Sequence, residues 1–147
     1  MPRRRTLLTL PAALLLPAPL TWSAESNLDG LVDLLGPQER WRRDGITVEA
    51  PRLAETGNSV PLGIRVDAPP GAVEVIHVWL PENPTPHALA FKPGGRALPH
   101  LDTRVRLARS QFATAGARLH DGSVRVAHCE VIVTLGACSE EWLAEEL

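Results

Sequence analysis

The sequence predicts an all-β fold, an immunoglobulin-like antiparallel β-sandwich of about seven strands with a short N-terminal helix and a C-terminal arm. Three observations predict it. Short runs rich in apolar and β-branched residues recur at regular spacing from residue 46, turn residues such as Pro, Gly and Asn separate them, and no long helical pattern lies among them. Residues 46–135 are therefore expected to form one sandwich domain.

Residues 1–23 are typical of an export signal peptide. Three arginines at residues 3–5 precede a short apolar run, which is followed by small residues near Ser23. The run is too short and too rich in proline to span a bilayer. Because Arg4 and Arg5 are followed by Thr-Leu-Leu, the segment also fits the twin-arginine pattern, which favours export to the periplasm in a folded state. The alternative is a general secretory signal with an extra arginine.

Removal of residues 1–23 takes away three arginines and leaves 12 basic and 17 acidic residues, a formal charge of −5. An acidic surface argues against nucleic acid or an anionic membrane as the partner of the mature protein.

Residues 24–45 are expected to form a short helix and a polar connector. The helix is predicted over residues 27–36, where Asn27 or Asp29 can cap its start and Gly36-Pro37 ends it. Its predicted apolar face consists of Leu28, Leu31, Val32 and Leu35.

The β-strands follow in order along residues 46–135. They are predicted at residues 46–50, 60–66, 73–80, 88–91, 101–107, 112–119 and 124–135. The run at 73–80 is apolar on both faces, as expected for a central strand. The last two strands are joined by His120-Asp-Gly-Ser123, which predicts a hairpin turn.

The end of the chain, residues 136–147, is predicted to be a cysteine arm and tail. Small residues, Gly136 and Ala137, follow the last strand and lead to Cys138, and then to Ser139 and Glu140. A thiol on a short tether beyond the last strand is poorly placed for core packing, but it can be presented to another molecule. This arrangement indicates a carrier arm, since the exposed thiolate is the form of cysteine that bonds to sulfur.

The second cysteine, Cys129, is predicted to belong to the core. Strand alternation places it on one face with Ala127, Val131, Val133 and Leu135. Nine extended residues separate it from Cys138 by roughly 30 Å. A disulfide needs Cα atoms within about 7 Å, so a bridge would require the arm to fold back on its own strand.

The remaining polar residues do not form a catalytic or metal-binding pattern. No nucleophile–base pair stands out, the five histidines lack ligand spacing, and no metal or cofactor is predicted. His77 and His128 lie on different strands and can approach one another, although structural histidines are commoner. Arg104, Arg106 and Arg109 can attract an anionic cargo or an acidic partner, or simply form the solvated face of a strand.

Several motifs together resemble the SoxY family of sulfur-carrier proteins. They are Gly57-Asn-Ser-Val-Pro61, Val66-Asp-Ala-Pro69, Ile76-His-Val78, Asn83-Pro-x-Pro86, Thr103-Arg-Val-Arg-Leu-Ala108 with Ser110-Gln111, and Asp121-Gly-Ser123. The resemblance runs from about residue 46 to Cys138.

The resemblance implies a non-catalytic periplasmic carrier with an immunoglobulin-like sandwich. It implies pairing with a SoxZ-like subunit of the same fold as a heterodimer. It also implies that Cys138, on a swinging arm, holds sulfur intermediates covalently while enzymes of thiosulfate-type oxidation load and unload it.

The arm departs from the usual pattern of that family. The family arm reads Gly-Gly-Cys-Gly-Gly and ends there, whereas this arm reads Gly136-Ala-Cys-Ser-Glu140 and continues to Leu147. It is closer to the Ala-Ala-Cys-Ile-Glu arm of SoxY-related proteins, which leaves the cargo open. Glu140 and Glu141 place negative charge beside the thiol and so disfavour its thiolate. Trp142, Leu143 and Leu147 form either a docking turn or an exposed tail.

Two other functions remain open at this stage. One is a periplasmic adhesion or scaffold module in which Cys138 is irrelevant. The other is a thiol–disulfide redox partner that forms intermolecular disulfides.

Overall fold

The computed structural model describes residues 27–135, which form one short α-helix, a 3₁₀ turn and nine β-strands. The elements are α1 (Asp29–Leu35), the 3₁₀ turn (Gln38–Arg40), β1 (Trp41–Arg42), β2 (Ile46–Glu49), β3 (Leu53–Thr56), β4 (Val60–Val66), β5 (Val73–Trp79), β6 (His87–Phe91), β7 (His100–Val105), β8 (Gln111–Leu119) and β9 (Val124–Leu135).

The strands form two sheets that pack face to face. The larger sheet has the order β1-β9-β8-β5-β6, with β3 also paired to β9, and the smaller sheet has the order β2-β4-β7. The pairs β2–β4, β4–β7, β5–β6, β5–β8 and β8–β9 are antiparallel. The predicted immunoglobulin-like sandwich is therefore confirmed.

Two strands differ from the expected antiparallel pattern, because β1 and β3 both run parallel to β9. The chain leaves β1, crosses to the smaller sheet as β2, and returns to the larger sheet as β3. Gly45, with a φ of 72°, makes the first crossing. The sequence did not predict either strand, since β1 lies in the polar connector and each is too short to show an alternating pattern.

The core lies between the two sheets and follows the alternation of their strands. In β4 the buried residues are Val60, Leu62, Ile64 and Val66, and the intervening Pro61 and Arg65 are exposed. In β5 both faces are buried, as predicted. One face of β5 meets β4 across the sandwich, and the other lies under the helix layer.

The helix α1 packs on the outer face of the larger sheet. Leu31 and Leu35 are buried there in a second apolar cluster with Trp79, Val124 and Val126. The helix therefore covers the outer face around the end of β5, the middle of β8 and the start of β9.

The cap of α1 differs from the prediction. The residue at the N-cap is Leu28, with no side-chain hydrogen bond, rather than Asn27 or Asp29. Asn27 instead has a φ of 76°, and its carbonyl accepts a 2.8 Å hydrogen bond from Trp79 Nε1. Docking on the sheet thus fixes this end of the helix, which a local capping rule does not anticipate.

Two terminal predictions fall outside the described part of the chain. They are the signal peptide at residues 1–23 and the arm with Gly136, Ala137, Cys138, Ser139 and Glu140. Within residues 27–135, no helix is long and apolar enough to cross a membrane.

Candidate functional site

The end of β9, after which the carrier arm is predicted, is held on both sides by hydrogen bonds. Strand β3 pairs with it on one side, and Thr56 lies opposite Leu135. Beyond β3, the N–H of Gly57 donates a 2.8 Å hydrogen bond to the carbonyl of Leu135. The hydroxyl of Thr134 donates a 2.7 Å bond to the carbonyl of Glu55. The last strand is therefore fixed up to the residue where the arm starts.

On its other side, β9 continues past the end of β8. The register of β8 ends at Gln111, opposite Val131. Two residues further along β9, Val133 bonds instead to the Ser110 hydroxyl, which accepts from its N–H at 2.8 Å and donates to its carbonyl at 3.3 Å. A single side chain thus replaces a missing strand partner.

Cys129 lies in the middle of β9, opposite Ala113. It is half-buried, packs against the core, and makes no disulfide among the described residues. Burial raises the pKa of its thiol. Cys129 is therefore a protonated, poorly reactive thiol at neutral pH, in keeping with the predicted core position.

One residue of the predicted core face of β9, Leu135, is exposed. The side chains of Val131 and Val133 reach the core, but Leu135 is 53% exposed. The strand has already passed the end of β8 at this point, so the apolar side chains of residues 27–135 leave Leu135 largely uncovered.

Two arginines lie next to the loop that holds the end of β9. Arg104 donates from Nη1 to the carbonyl and hydroxyl of Ser59, both at 3.4 Å. Arg106 donates from Nη2 to Oδ1 of Asn58 at 3.1 Å. The third arginine of the predicted group, Arg109, faces Glu82 at 4.0 Å instead.

The histidines do not form the pair that the sequence allowed. His77 Nδ1 lies 3.1 Å from His87 Nε2 of the neighbouring strand β6, whereas His128 packs edge-on against Phe112. Burial, followed by the nearby His87, lowers the pKa of His77. Among residues 27–135, no group of three or more His, Cys, Asp or Glu side chains is arranged to hold a metal ion.

Comparison with known families places this chain. The model of the family described as "Sulfur oxidation protein SoxY" matches residues 31–138, which is most of the sequence. The chain belongs to the SoxY family. The resemblance in the sequence motifs is therefore confirmed, and the match ends at Cys138, the predicted carrier residue.

One solved structure, that of another SoxY protein, agrees with this membership. The sulfur carrier protein SoxY from Chlorobium limicola f thiosulfatophilum is 26% identical, with a TM-score of 0.63 over 77% of this chain and all of that one. A superoxide reductase (neelaredoxin) from Ignicoccus hospitalis is 20% identical, with a TM-score of 0.49 over 60% of this chain and 79% of that one. A search of curated proteins finds no significant match. The expectation of a carrier rather than an enzyme is in accord with the SoxY family.

The SoxY-like motifs at Asn83 and Gln111 form one hydrogen-bond network near the root of the arm. Oδ1 of Asn83 accepts from the N–H of Ala108 and from Nε2 of Gln111, both at 2.9 Å. Nδ2 of Asn83 donates to the carbonyl of Arg106 at 2.7 Å, and Oε1 of Gln111 accepts from the N–H of Glu82 at 3.0 Å. These motif residues fix the segment after β7.

The outer face of the larger sheet is apolar near the root of the arm, beyond the edge of α1. Leu53 is 62% exposed and Ile132, directly opposite it in the register, is 39% exposed. A shallow cavity of about 300 Å³ adjoins them, and it is lined by Ser110, Gln111, Phe112, Glu130 and Ile132. This surface, which we call the outer patch (Leu53, Phe112 and Ile132), was not predicted, because only the tertiary pairing of β3 with β9 assembles it.

Proposed function

We propose that this SoxY-family chain is a periplasmic carrier that holds sulfur intermediates covalently on Cys138. One observation carries the proposal: the family match extends to Cys138, three residues beyond the fixed end of β9. Three residues span at most about 10 Å, so the thiol is tethered within that distance of the end of β9.

The chemistry of the cargo follows from the thiol. Cys138 Sγ forms an S–S bond with the sulfur intermediate. Joining a thiolate to a thiosulfate anion in this way releases two electrons, so loading requires a partner enzyme that accepts them. The proposed carrier therefore depends on partner enzymes for this step.

The two cysteines are expected to differ in the reactivity of their thiols. Cys129 is half-buried with a raised pKa, whereas Cys138 follows two small residues and is the candidate for the exposed thiolate. The pair Cys138→Ser and Cys129→Ser therefore forms a matched test of the function.

The experiment is intact-mass spectrometry of the protein purified from its native periplasm during growth on reduced sulfur. We expect a mass increase from a sulfur adduct that is lost in Cys138→Ser and kept in Cys129→Ser. An unmodified Cys138 under these conditions would refute the proposed carrier function. Full activity of Cys138→Ser in sulfur oxidation would instead favour a scaffold that works without thiol chemistry.

We further propose that a SoxZ-like subunit of immunoglobulin fold binds the outer patch to form a heterodimer. The patch is exposed and apolar, and it adjoins the root of the arm. Surfaces of this kind on a soluble domain commonly mark protein–protein contacts. A partner bound there would stand beside the cargo that Cys138 carries.

The domain limits and the export route belong to the same proposal. Residues 1–23 serve as a signal peptide of twin-arginine type, residues 24–45 form the helix and connector, residues 46–135 form the sandwich, and residues 136–147 form the arm. Replacement of Arg4 and Arg5 by lysine tests the route. We expect the protein to remain uncleaved in the cytoplasm, whereas normal export would identify a general secretory signal.

A further inference from the structure

The two arginines beside the loop before β4 carry positive charge that no carboxylate balances in the described part of the chain. Their bonds go to neutral oxygens, those of Ser59 and Asn58. Two other exposed arginines differ, since Arg65 faces Glu49 and Asp102, and Arg42 pairs with Asp44 at 2.9 Å. Arg104 and Arg106 are therefore able to bind an added anion.

The same loop connects these arginines to the root of the arm. The N–H of Gly57 donates to the carbonyl of Leu135, and the carbonyl of Gly57 accepts a 2.8 Å bond from the N–H of Leu107. Strand pairing also places Arg104 beside this loop, because Pro61 of β4 lies opposite Arg104 of β7. The short segment 57–59 thus bonds at one end to the carbonyl of Leu135 and at the other to both guanidinium groups.

The length of the tether lets Cys138 reach this charge. It follows Leu135 by three residues, a span of at most about 10 Å, and both arginine side chains are long and exposed. A guanidinium group presents a planar fork of N–H donors that fits the oxygens of a sulfonate. The whole chain carries a formal charge of −2, so a local positive surface stands out to an incoming anion.

We propose that Arg104 and Arg106 form an anion-binding surface at the root of the arm, which positions the anionic sulfur group carried on Cys138. This inference rests on the proposed function for the identity of the carrier thiol. It adds the residues that hold the charged end of the cargo. They are positioning residues, since the bond to sulfur is made by Cys138.

The test loads Cys138 chemically in the mature chain, with Cys129→Ala so that one thiol remains. The thiolate attacks a central sulfur of tetrathionate, a new S–S bond forms, the S–S bond of the reagent breaks, and thiosulfate leaves with the electron pair. The product is Cys138 with a terminal sulfonate. The rate is compared with that of the neutral disulfide 2,2′-dithiodipyridine on the same protein.

We expect R104Q/R106Q to slow the tetrathionate reaction by about 3- to 10-fold at low salt, and to leave the rate with the neutral reagent nearly unchanged. R104K/R106K keeps the charge and is expected to restore most of the rate. R42Q removes the same charge from an exposed arginine beside the start of β9, at the other end of that strand, and is expected to change neither rate. In the loaded wild type, the Nε–H signals of Arg104 and Arg106 are expected to shift in NMR spectra.

Three results would overturn the proposal. If R104Q/R106Q slows the reactions with both reagents equally, the arginines act on the thiol or on the fold. If R104Q/R106Q and wild type react with tetrathionate at equal rates, the arginines do not contact the anion. The third result comes from repeating the comparison in protein that also carries E140Q/E141Q. If the arginines affect the rate only after these glutamates are removed, the carboxylates of the tail occupy the surface instead. Because the adduct is installed chemically, a missing adduct in cells would refute the carrier function without deciding this experiment.

Discussion

The hydroxyl of Ser110 accepts a 2.8 Å hydrogen bond from the N–H of Val133, two residues before the end of β9. This contact replaces the strand partner that β9 loses when β8 ends at Gln111. Together with the bond from Gly57 to Leu135, it fixes the point from which the arm departs. In the proposed carrier function, this fixed point limits the reach of Cys138 to the length of the chain after Leu135.

Ser110→Ala is expected to destabilise the end of β9 locally. Loss of the hydroxyl leaves the N–H of Val133, which is half-buried, without a partner, and this costs about 1–2 kcal/mol. Urea unfolding measures that cost, and amide hydrogen exchange should accelerate at Val133. Ser59→Ala is the control, because Ser59 is an exposed serine whose contact to Arg104 is long, and its effect should stay within about 0.5 kcal/mol. Equal effects of the two substitutions would contradict this role for Ser110.

Cys129 is expected to react slowly with thiol reagents in the folded protein. In Cys138→Ser, labelling near neutral pH should be slow and should accelerate strongly in denaturant, since burial both shields the thiol and raises its pKa. The raised pKa has a consequence for stability. The contribution of Cys129 is complete below the pKa of the unfolded thiol, about 8.5, and is lost as pH rises toward the folded pKa. Rapid labelling of the native variant would mean that Cys129 competes with Cys138.

His77 is expected to make the fold sensitive to mild acid. Its pKa is lowered by burial and by His87, so the folded state disfavours the imidazolium. Its contribution is complete above the unfolded pKa of about 6.5 and is lost as pH falls through the folded pKa. Urea titrations at about pH 7.5 and about pH 5 should show a smaller loss of stability in His77→Gln than in wild type. His120→Gln is the control, because His120 is exposed in the β8–β9 turn, and it should lose stability as wild type does.

Close packing of α1 on the sheet depends on glycine. A Cβ atom at Gly30 would overlap the ring of Trp79, which α1 covers. Gly30→Ala is therefore expected to cost about 1–3 kcal/mol and to change the tryptophan fluorescence. At Gly94 an added Cβ meets nothing within 4 Å, so Gly94→Ala should be close to neutral. A neutral Gly30→Ala would show that the helix shifts without loss of stability.

The sequence was sufficient to predict the parts of the fold that repeat. The strand predicted at residues 60–66 and that predicted at 124–135 match β4 and β9 residue for residue, because each alternates over a long run. The turn at Asp121 and Gly122 also forms as predicted: Gly122 has a φ of 85°, and Oδ1 of Asp121 accepts a 2.8 Å bond from the N–H of Ser123. Local pattern and local chemistry agree at these places.

The candidate site depends on relationships that no local pattern contains. Strand β3 exists because the free edge of β9 is available to it, and that pairing brings Leu53 beside Ile132. His77 meets His87 rather than His128, since β8 lies between β5 and β9. The sequence identified the arginines at 104 and 106, but their position at the root of the arm follows only from the pairing of β4 with β7.

Charged residues in the outer patch are expected to weaken binding of the SoxZ-like subunit. Leu53→Glu combined with Ile132→Glu places two charges on this exposed surface, so it should leave the isolated fold nearly unchanged and reduce recovery of a co-expressed SoxZ-like subunit by at least about 10-fold. Leu98→Glu is the matched control, because Leu98 is 58% exposed but lies in the loop before β7, away from the patch. Its effect on recovery should be small. Undiminished recovery of the partner with the double variant would mean that the subunit binds another face. The outer patch would then be a candidate binding surface for the enzymes that load Cys138.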